Sequence, residues 1–275
     1  MPLDYAALKA LGPQRGQRRW TADRTILYAL GLGATELDFV YEDRLRALLT
    51  MPAILAHSST GWMDPRYGVD PRKVLHAAQS VELHGPVPVA GEITAEGGIE
   101  AMIDKGAHAL VIVRSCIMDA QGAVFATTRS SIMARGAGGF GGDPAPDPLP
   151  LALERAPDMV VELASSPSQA LLYRLSGDRN PLHIDPAMAR AAGFERPILH
   201  GMCSYGMAGR ALLAALCGNN PEGLSAISCR FAAPVYPGET LRTEIWRDGP
   251  HDVRFRTKVA ARDAVVLSDG LARLA

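Results

Sequence analysis

Apolar residues along this 275-residue chain follow two registers, one of helical spacing and one alternating, and the registers change over at glycines and prolines. Residues 23–32, DRTILYALGL, carry apolar side chains at helical spacing behind Asp23, a residue able to cap a helix start. Residues 168–177, SQALLYRLSG, do the same behind Ser168. Residues 201–216 are rich in Ala, Gly, Leu and Met and apolar on most faces, which predicts a buried helix. The runs 225–231, 240–246, 252–260 and 264–267 alternate or are β-branched, and they predict antiparallel strands. Matching strands are expected near 75–83, 91–100, 109–118 and 124–133. In each half the expected order is a strand or short helix, a longer helix, and a sheet wrapped around that helix.

The two halves echo one another. Tyr28 in ILYALG and Tyr173 in LLYRLSG stand 145 residues apart, and Gly91 in PVPVAGE and Gly238 in PVYPGE stand 147 apart. Two similarities at nearly one offset point to a tandem duplication. The expected borders are a first repeat over 1–134, a Gly/Pro-rich connector over 135–158, and a second repeat over 159–275. Within the connector Gly136, Gly138 and Gly141 satisfy GxGxxG, but Asp143-Pro144-Ala145-Pro146 follows where a dinucleotide site needs a helix to open. A dinucleotide site is therefore excluded.

Composition narrows the classes further. With 28 basic and 29 acidic side chains the formal charge is −1, and no lysine or arginine run is long enough to track a nucleic-acid backbone. With 48% apolar residues the chain can bury a substantial core. Cys116, Cys203, Cys217 and Cys229 form no CxxC pair and no regular framework, so neither a zinc site nor a disulfide scaffold is indicated. The amino terminus lacks the apolar core of a secretory signal, and no apolar run reaches the ~18 residues of a membrane span. The expectation is a cytoplasmic protein with no nucleic-acid or membrane partner.

Candidate chemistry is concentrated in residues 173–202, YRLSGDRNPLHIDPAMARAAGFERPILHGM, where Asp178, Asn180, His183 and His200 sit among Gly and Pro breakers. Asp178 and His183 are five apart with Pro181 between, so they face each other across a turn. A carboxylate and an imidazole so placed can hold one water, one group taking its proton and the other supplying a proton to a substrate. Asn180 adds a neutral donor and acceptor that could fix that water. The bland reading is that Asp178 and Asn180 only satisfy a turn backbone and that His183 is a buried, hydrogen-bonded histidine. Gly201 follows His200 at the start of the buried helix, where an unpaired N–H could stabilise a carbonyl oxygen that gains charge, or could simply mark a tight turn. His57, His108 and His251 show no partner pattern and receive no role.

The string Gly177-Asp178-Arg179-Asn180-Pro181-Leu182-His183, followed by His200-Gly201-Met202, resembles the signature of the hydratase 2 family, the MaoC-like (R)-specific enoyl-CoA hydratases. Val74-Leu75-His76, Glu82-Leu83-His84, Asp104-Lys105-Gly106, the run Gly138-Gly139-Phe140-Gly141-Gly142 and residues 230–238, RFAAPVYPG, resemble blocks of the long two-repeat members. The resemblance covers nearly the whole chain. It implies an α+β double hotdog fold, two tandem repeats each with an antiparallel sheet around a central helix. It also implies reversible hydration of a trans-2-enoyl-CoA, with Asp178, His183, Asn180 and Gly201 catalytic. His76, Ala77, Lys105, Arg179, Pro181, Leu182 and Phe231 are then expected to contact the acyl-CoA. The family usually has glycine where Ala77 stands.

Residues 31–45 after Tyr28, GLGATELDFVYEDRL, contain no Asp-x-Asn-Pro-x-His and no histidine, so the first repeat is expected to have kept the fold without the chemistry, widening the pocket for a bulky acyl chain. A metal at Asp178, His183, Asp185 and His200 is set aside, because the hydration needs no Lewis acid once an N–H holds the carbonyl oxygen. No cofactor is expected beyond the coenzyme A carried by the substrate, and a homodimer is expected. The competing functions are a hotdog thioesterase and a non-catalytic acyl-CoA-binding protein.

Overall fold

The computed structural model describes residues 2–56, 61–145 and 155–275. His57 and residues 146–154 of the expected connector lie outside the described residues. The first repeat opens with helix α1 (Tyr5–Lys9) and strand β1 (Gln14–Trp20), followed by α2 (Ala22–Gly31), α3 (Leu37–Val40) and α4 (Pro52–Leu55). Four long strands complete it: β2 (Val74–Leu83), β3 (Gly91–Asp104), β4 (His108–Met118) and β5 (Val124–Arg135). The second repeat has β6 (Met159–Ala164), α5 (Gln169–Tyr173), α6 (Pro186–Ala191) and α7 (Gly201–Cys217), then β7 (Leu224–Phe231), β8 (Thr240–Arg247), β9 (Asp252–Val259) and β10 (Ala264–Leu274).

All ten strands form one sheet in the order β1-β3-β4-β5-β2-β7-β10-β9-β8-β6. The order reads the same from both ends once β2 is matched with β7 and β3 with β8, which is the double hotdog arrangement of two repeats. The halves meet through antiparallel β2 and β7, with Val81 opposite Ile227. Residues that bury along β4 alternate (Ala109, Val111, Val113, Ser115, Ile117), so one face of the sheet is interior along its whole length. Towards one end that face packs on α2, α4 and α7. Towards the other it is covered by Leu3, Leu8, Trp62 and Val69 of the amino-terminal segments.

Several expectations are corrected by these details. Helix α2 is capped by Thr21, whose side chain accepts from the Arg24 N–H, while Asp23 falls inside the first turn. Ser168 stands at the start of α5 without a side-chain capping bond, its hydroxyl being paired with that of Ser166. The expected helix over 168–177 is cut to α5 and one 3₁₀ turn, Arg174–Ser176, because Gly177 leaves helical geometry at φ +134. Strand β10 runs on past Leu267, the expected end, because Asp269 (φ +51) and Gly270 make a bulge after which pairing with β9 resumes.

The largest correction concerns the first repeat, where no long helix occurs among the described residues. Its place against the sheet is taken by residues 32–56, in which α3 and α4 have only 4 residues each. Phe39, Leu49, Met51 and Leu55 from this run are buried. They pack into the same core as α7, and α4 lies on β2 and β5, so these short segments fill the space beneath the first half-sheet without a long helix.

Candidate active site

The loop between α5 and α7 is shaped by short side chains that bind backbone two residues on. Asp178 Oδ1 accepts from the Asn180 N–H, Asn180 Oδ1 from the Leu182 N–H and Asp185 Oδ1 from the Ala187 N–H. Pro181 then opens a 3₁₀ turn, Pro181–His183, that carries the His183 ring inward. The turn reading of Asp178 and Asn180 thus holds, and it is also what presents the rest of each side chain. Asn180 Oδ1 accepts the Leu182 N–H with one lone pair, which leaves a second lone pair and the Nδ2 donor for a water.

His183 is 8% exposed, and its Nδ1 lies 2.9 Å from the Ile198 carbonyl oxygen. A carbonyl can only accept, so Nδ1 carries the proton and Nε2 keeps its lone pair. That Nε2 is 3.9 Å from Asp178 Oδ2, beyond direct hydrogen-bond range and suited to one oxygen held by both. Burial lowers the His183 pKa below 6.5, outweighing the Ile198 bond and the Asp178 charge, both of which raise it. The ring is therefore neutral and basic near neutral pH.

The remaining walls come from distant segments. Gly201 begins α7, and the first intrahelical bonds there are donated by Cys203 and Ser204, which leaves the Gly201 N–H to a ligand. A Cβ on Gly201 would sit 3.2 Å from the Phe231 ring, so a side chain there would press that ring back by a few tenths of an ångström. Phe231 in turn lies against His76, with ring centroids 4.9 Å apart. His76 Nε2 is buried with no partner among the described residues. Burial lowers the His76 pKa to about 4, while the Ala78 backbone, Gln79 and the Asp178 charge act the other way. Ala77 is the extra residue of a β-bulge, since β2 pairs with β5 at His76 and again at Ala78, and with β7 only from Ala78 onward. Its backbone is thus outside both ladders, as a ligand contact through main-chain atoms requires.

Lys105 occupies the exposed turn between β3 and β4. The row Val74–Ala134–Ala109–Asp104 sets that turn at the same end of the sheet as His76, three strands away, or about 15 Å at the usual strand spacing. The turn is tied down by the glycine-rich run, for Asp104 accepts from the N–H groups of Gly106, Gly139 and Gly141. Arg179 and Pro181 are exposed and Leu182 half-buried on the Asp178 loop.

Asp178, His183 and His200 have potential ligand atoms within 4.8 Å of one another. The two imidazoles are stacked at 3.7 Å and 27°, so their in-plane lone pairs run side by side and do not meet at one point. One nitrogen of each ring is also within hydrogen-bond distance of a backbone carbonyl. A cavity of about 470 Å³, lined by Leu45, Leu49, Leu83, Val87 and Leu224 among others, lies elsewhere, at the Leu83 end of β2. His76 to Leu83 spans roughly 23 Å of strand.

Comparison with known proteins bears on the same segments. The family description "MaoC like domain" matches residues 150–268, and "MFE-2 hydratase 2 N-terminal domain" matches residues 19–136. The chain is 40% identical to "Enoyl-CoA hydratase ChsH3" of Mycobacterium tuberculosis, over 98% of both chains. It is 41% identical to "Probable enoyl-CoA hydratase 2" of Dictyostelium discoideum, over 90% of this chain and 88% of that one. Further relatives carry the word peroxisomal in their names. Among solved structures, a MaoC-like dehydratase from Phytophthora capsici superimposes with a TM-score of 0.91 at 30% identity, over 99% and 98% of the two chains.

Proposed function

Because the chain belongs to the hydratase 2 family of MaoC-like enoyl-CoA hydratases, we infer that it adds water reversibly across a trans-2-enoyl-CoA to give the (R)-3-hydroxyacyl-CoA. The observation that carries the reading is the 3.9 Å gap between Asp178 Oδ2 and the lone-pair nitrogen of His183. A water in that gap gives one O–H to each acceptor. Its oxygen attacks Cβ while His183 Nε2 takes one proton, and the resulting imidazolium delivers a proton to Cα on the same side. Asp178 orients the water and faces the charge that forms, so the two titrate as a pair. The Gly201 N–H and the positive end of α7 stabilise the thioester oxygen as charge builds on it. Asn180 contributes its Nδ2 donor to the water.

On this reading His76, Ala77, Lys105, Arg179, Pro181, Leu182 and Phe231 contact the acyl-CoA, and no cofactor is used beyond the coenzyme A of the substrate. Residues 1–134 supply the binding wall and acyl-chain space, 135–158 connect, and 159–275 hold the chemistry. We place the enzyme in the cytoplasm as a homodimer. Among the described residues no helix is long and apolar enough to cross a membrane.

The test is loss of the conjugated thioester absorbance on addition of protein to a chain-length series of trans-2-enoyl-CoAs, with chiral analysis of the product. Formation of the (S) product, or release of free thiol without hydration, would overturn the reading. Sedimentation of the active species checks the dimer.

A further inference from the structure

His200 makes more connections around the pair than any task assigned so far explains. It is 1% exposed. Its Nε2 lies 3.2 Å from the backbone carbonyl oxygen of Asp178, so that nitrogen carries the proton and donates. The lone pair is left on Nδ1, which is buried without a partner among the described residues. The ring is stacked on His183 at 3.7 Å and also touches the Tyr173 ring, centroids 5.0 Å apart. Its own carbonyl accepts the first two intrahelical bonds of α7, from Cys203 and Ser204.

The other hydrogen bonds around Asp178 are local. Gly177 donates to Arg174, Asn180 to Asp178 and Leu182 to Asn180, all within the loop. The Asp178 side chain is 52% exposed and so lacks packing to fix it. Among the described residues, the His200 donation is therefore the bond that joins the main chain of Asp178 to the helix bearing Gly201. The same ring sets the plane of His183. We propose that His200 is the positioning residue of this site, holding Asp178 and His183 at the separation that accommodates one water and aligning both with the first N–H of α7. The role rests on the hydration reading, and on it His200 touches no reacting atom.

Electrostatics allow the stack. Burial first, and then the neighbouring His183, lower the His200 pKa to about 4; Asp178 raises it and Arg174 lowers it. Near neutral pH both rings are uncharged and the contact carries no repulsion. The charged or titratable groups around the ring are His183 on the 3₁₀ turn, Asp178 on the loop, Arg174 and Tyr173.

The experiment compares full-length wild type with His200→Ala, His200→Gln and His200→Phe, using crotonyl-CoA hydration, thermal melts and the pH profile of kcat. His200→Ala should lower kcat roughly 10²-fold, since displacement by about 1 Å costs that much, with KM changed by less than about threefold. Water admitted beside His183 should relieve the burial that lowers its pKa, so the acidic limit of kcat should move to higher pH. His200→Gln returns an N–H donor and should recover about tenfold over His200→Phe, which keeps only the ring contact. An active wild type with an indifferent His200→Ala overturns this inference alone, whereas a wild type inactive on every member of the trans-2-enoyl-CoA chain-length series overturns the hydration reading. Equal loss in all three variants with an unmoved pH limit makes His200 merely structural and also overturns the proposal. Should His200→Ala fail to melt cooperatively, the Gln and Phe variants decide, and equal rates in the two would sink it.

Discussion

The two repeats diverge just after their matching helices, and on the proposed function that divergence divides the labour of the molecule. Past Tyr173 the chain spends Gly177 to His183 on a capped turn and later opens the 17-residue helix α7. Past Tyr28 it makes only the short α3 and α4, and buries Phe39, Leu49, Met51 and Leu55 against the helix of its partner repeat. Gly206 and Gly209 of α7 are what allow this approach, because a Cβ on Gly206 would lie 2.5 Å from a Leu32 methyl and one on Gly209 2.8 Å from Thr50. Helix α7 packs on β6, β7 and β8 of its own half-sheet, while the short α4 packs on β2 and β5 of the other. On the proposed function the first repeat forms a binding wall, and a wall needs no proton-handling groups. Variants in the second repeat should accordingly change kcat, and variants in the first should change KM or stability.

The sharpest test of that division lies at the pair itself. Asp178→Asn and His183→Ala should each lower kcat by roughly 10² to 10⁴ while leaving the melt nearly unchanged, the usual range for a positioned acid or base. The double variant should be scarcely worse than the worse single one, since the two share one water. Full additivity in single-turnover assays would mean that they act separately.

Next in size is the seam between repeats. Gly206→Ala should cost about 1–3 kcal/mol in urea unfolding, because the new methyl meets Leu32, which is fully buried. Leu32→Ala in the same chain should return part of that loss, and strict additivity of the two would show that the seam does not pack as described.

Much of this fold was legible before any coordinates. Strand positions followed from alternation, as in β4, and the buried helix from the apolar run after His200. The matching helices followed from Tyr28 and Tyr173, whose rings indeed approach to 6.2 Å. Asp178 and His183 were legible as a facing pair because Pro181 forbids a regular helix between them. Three things were not. The lack of a long helix among the described residues of 32–56 is one, because whether Phe39, Leu49, Met51 and Leu55 bury from a helix or from short turns depends on what they pack against. The bulge at Ala77 depends on pairing with two other strands. His200 was visible as a protic residue, but its stack on His183 and its bond to the Asp178 carbonyl, 22 positions away, exist only when the chain between them folds back.

A pH series tests a property shared by both repeats. His76 and His200 titrate near 4 and His183 below 6.5, in each case chiefly because burial disfavours the charged ring. Between about pH 6.5 and about pH 4 the unfolded chain therefore binds protons that the native chain refuses. Stability should be full above that window and fall as pH drops through it. Urea midpoints at about pH 7 and about pH 5 should differ in that direction, and His76→Gln should reduce the difference. A midpoint independent of pH across the window would mean that the rings are hydrated.

The smallest effect is expected at Lys105, and it is the one that tests whether the first repeat binds at all. The side chain is exposed, with no ion pair among the described residues, on a turn that Asp104 and the glycine-rich run hold rigid. A phosphate contact made there is equally strong in the ground and transition states, so it should lower KM and leave kcat alone. Exposed charge contacts are worth at most about 1 kcal/mol, so Lys105→Ala should raise KM roughly two- to fivefold. Wild-type KM should climb with salt, because a Debye length of about 10 Å at 0.1 M screens an exposed pair, and the variant should climb less. Arg114 is the control. It is an exposed cation of the same repeat on the non-interior face of β4, and its replacement by alanine should leave KM and its salt slope as they were. If the two variants shift KM together, the effect belongs to net charge and not to a site. A fall in kcat for Lys105→Ala with KM unchanged would put part of the chemistry in the first repeat and break the division between the halves.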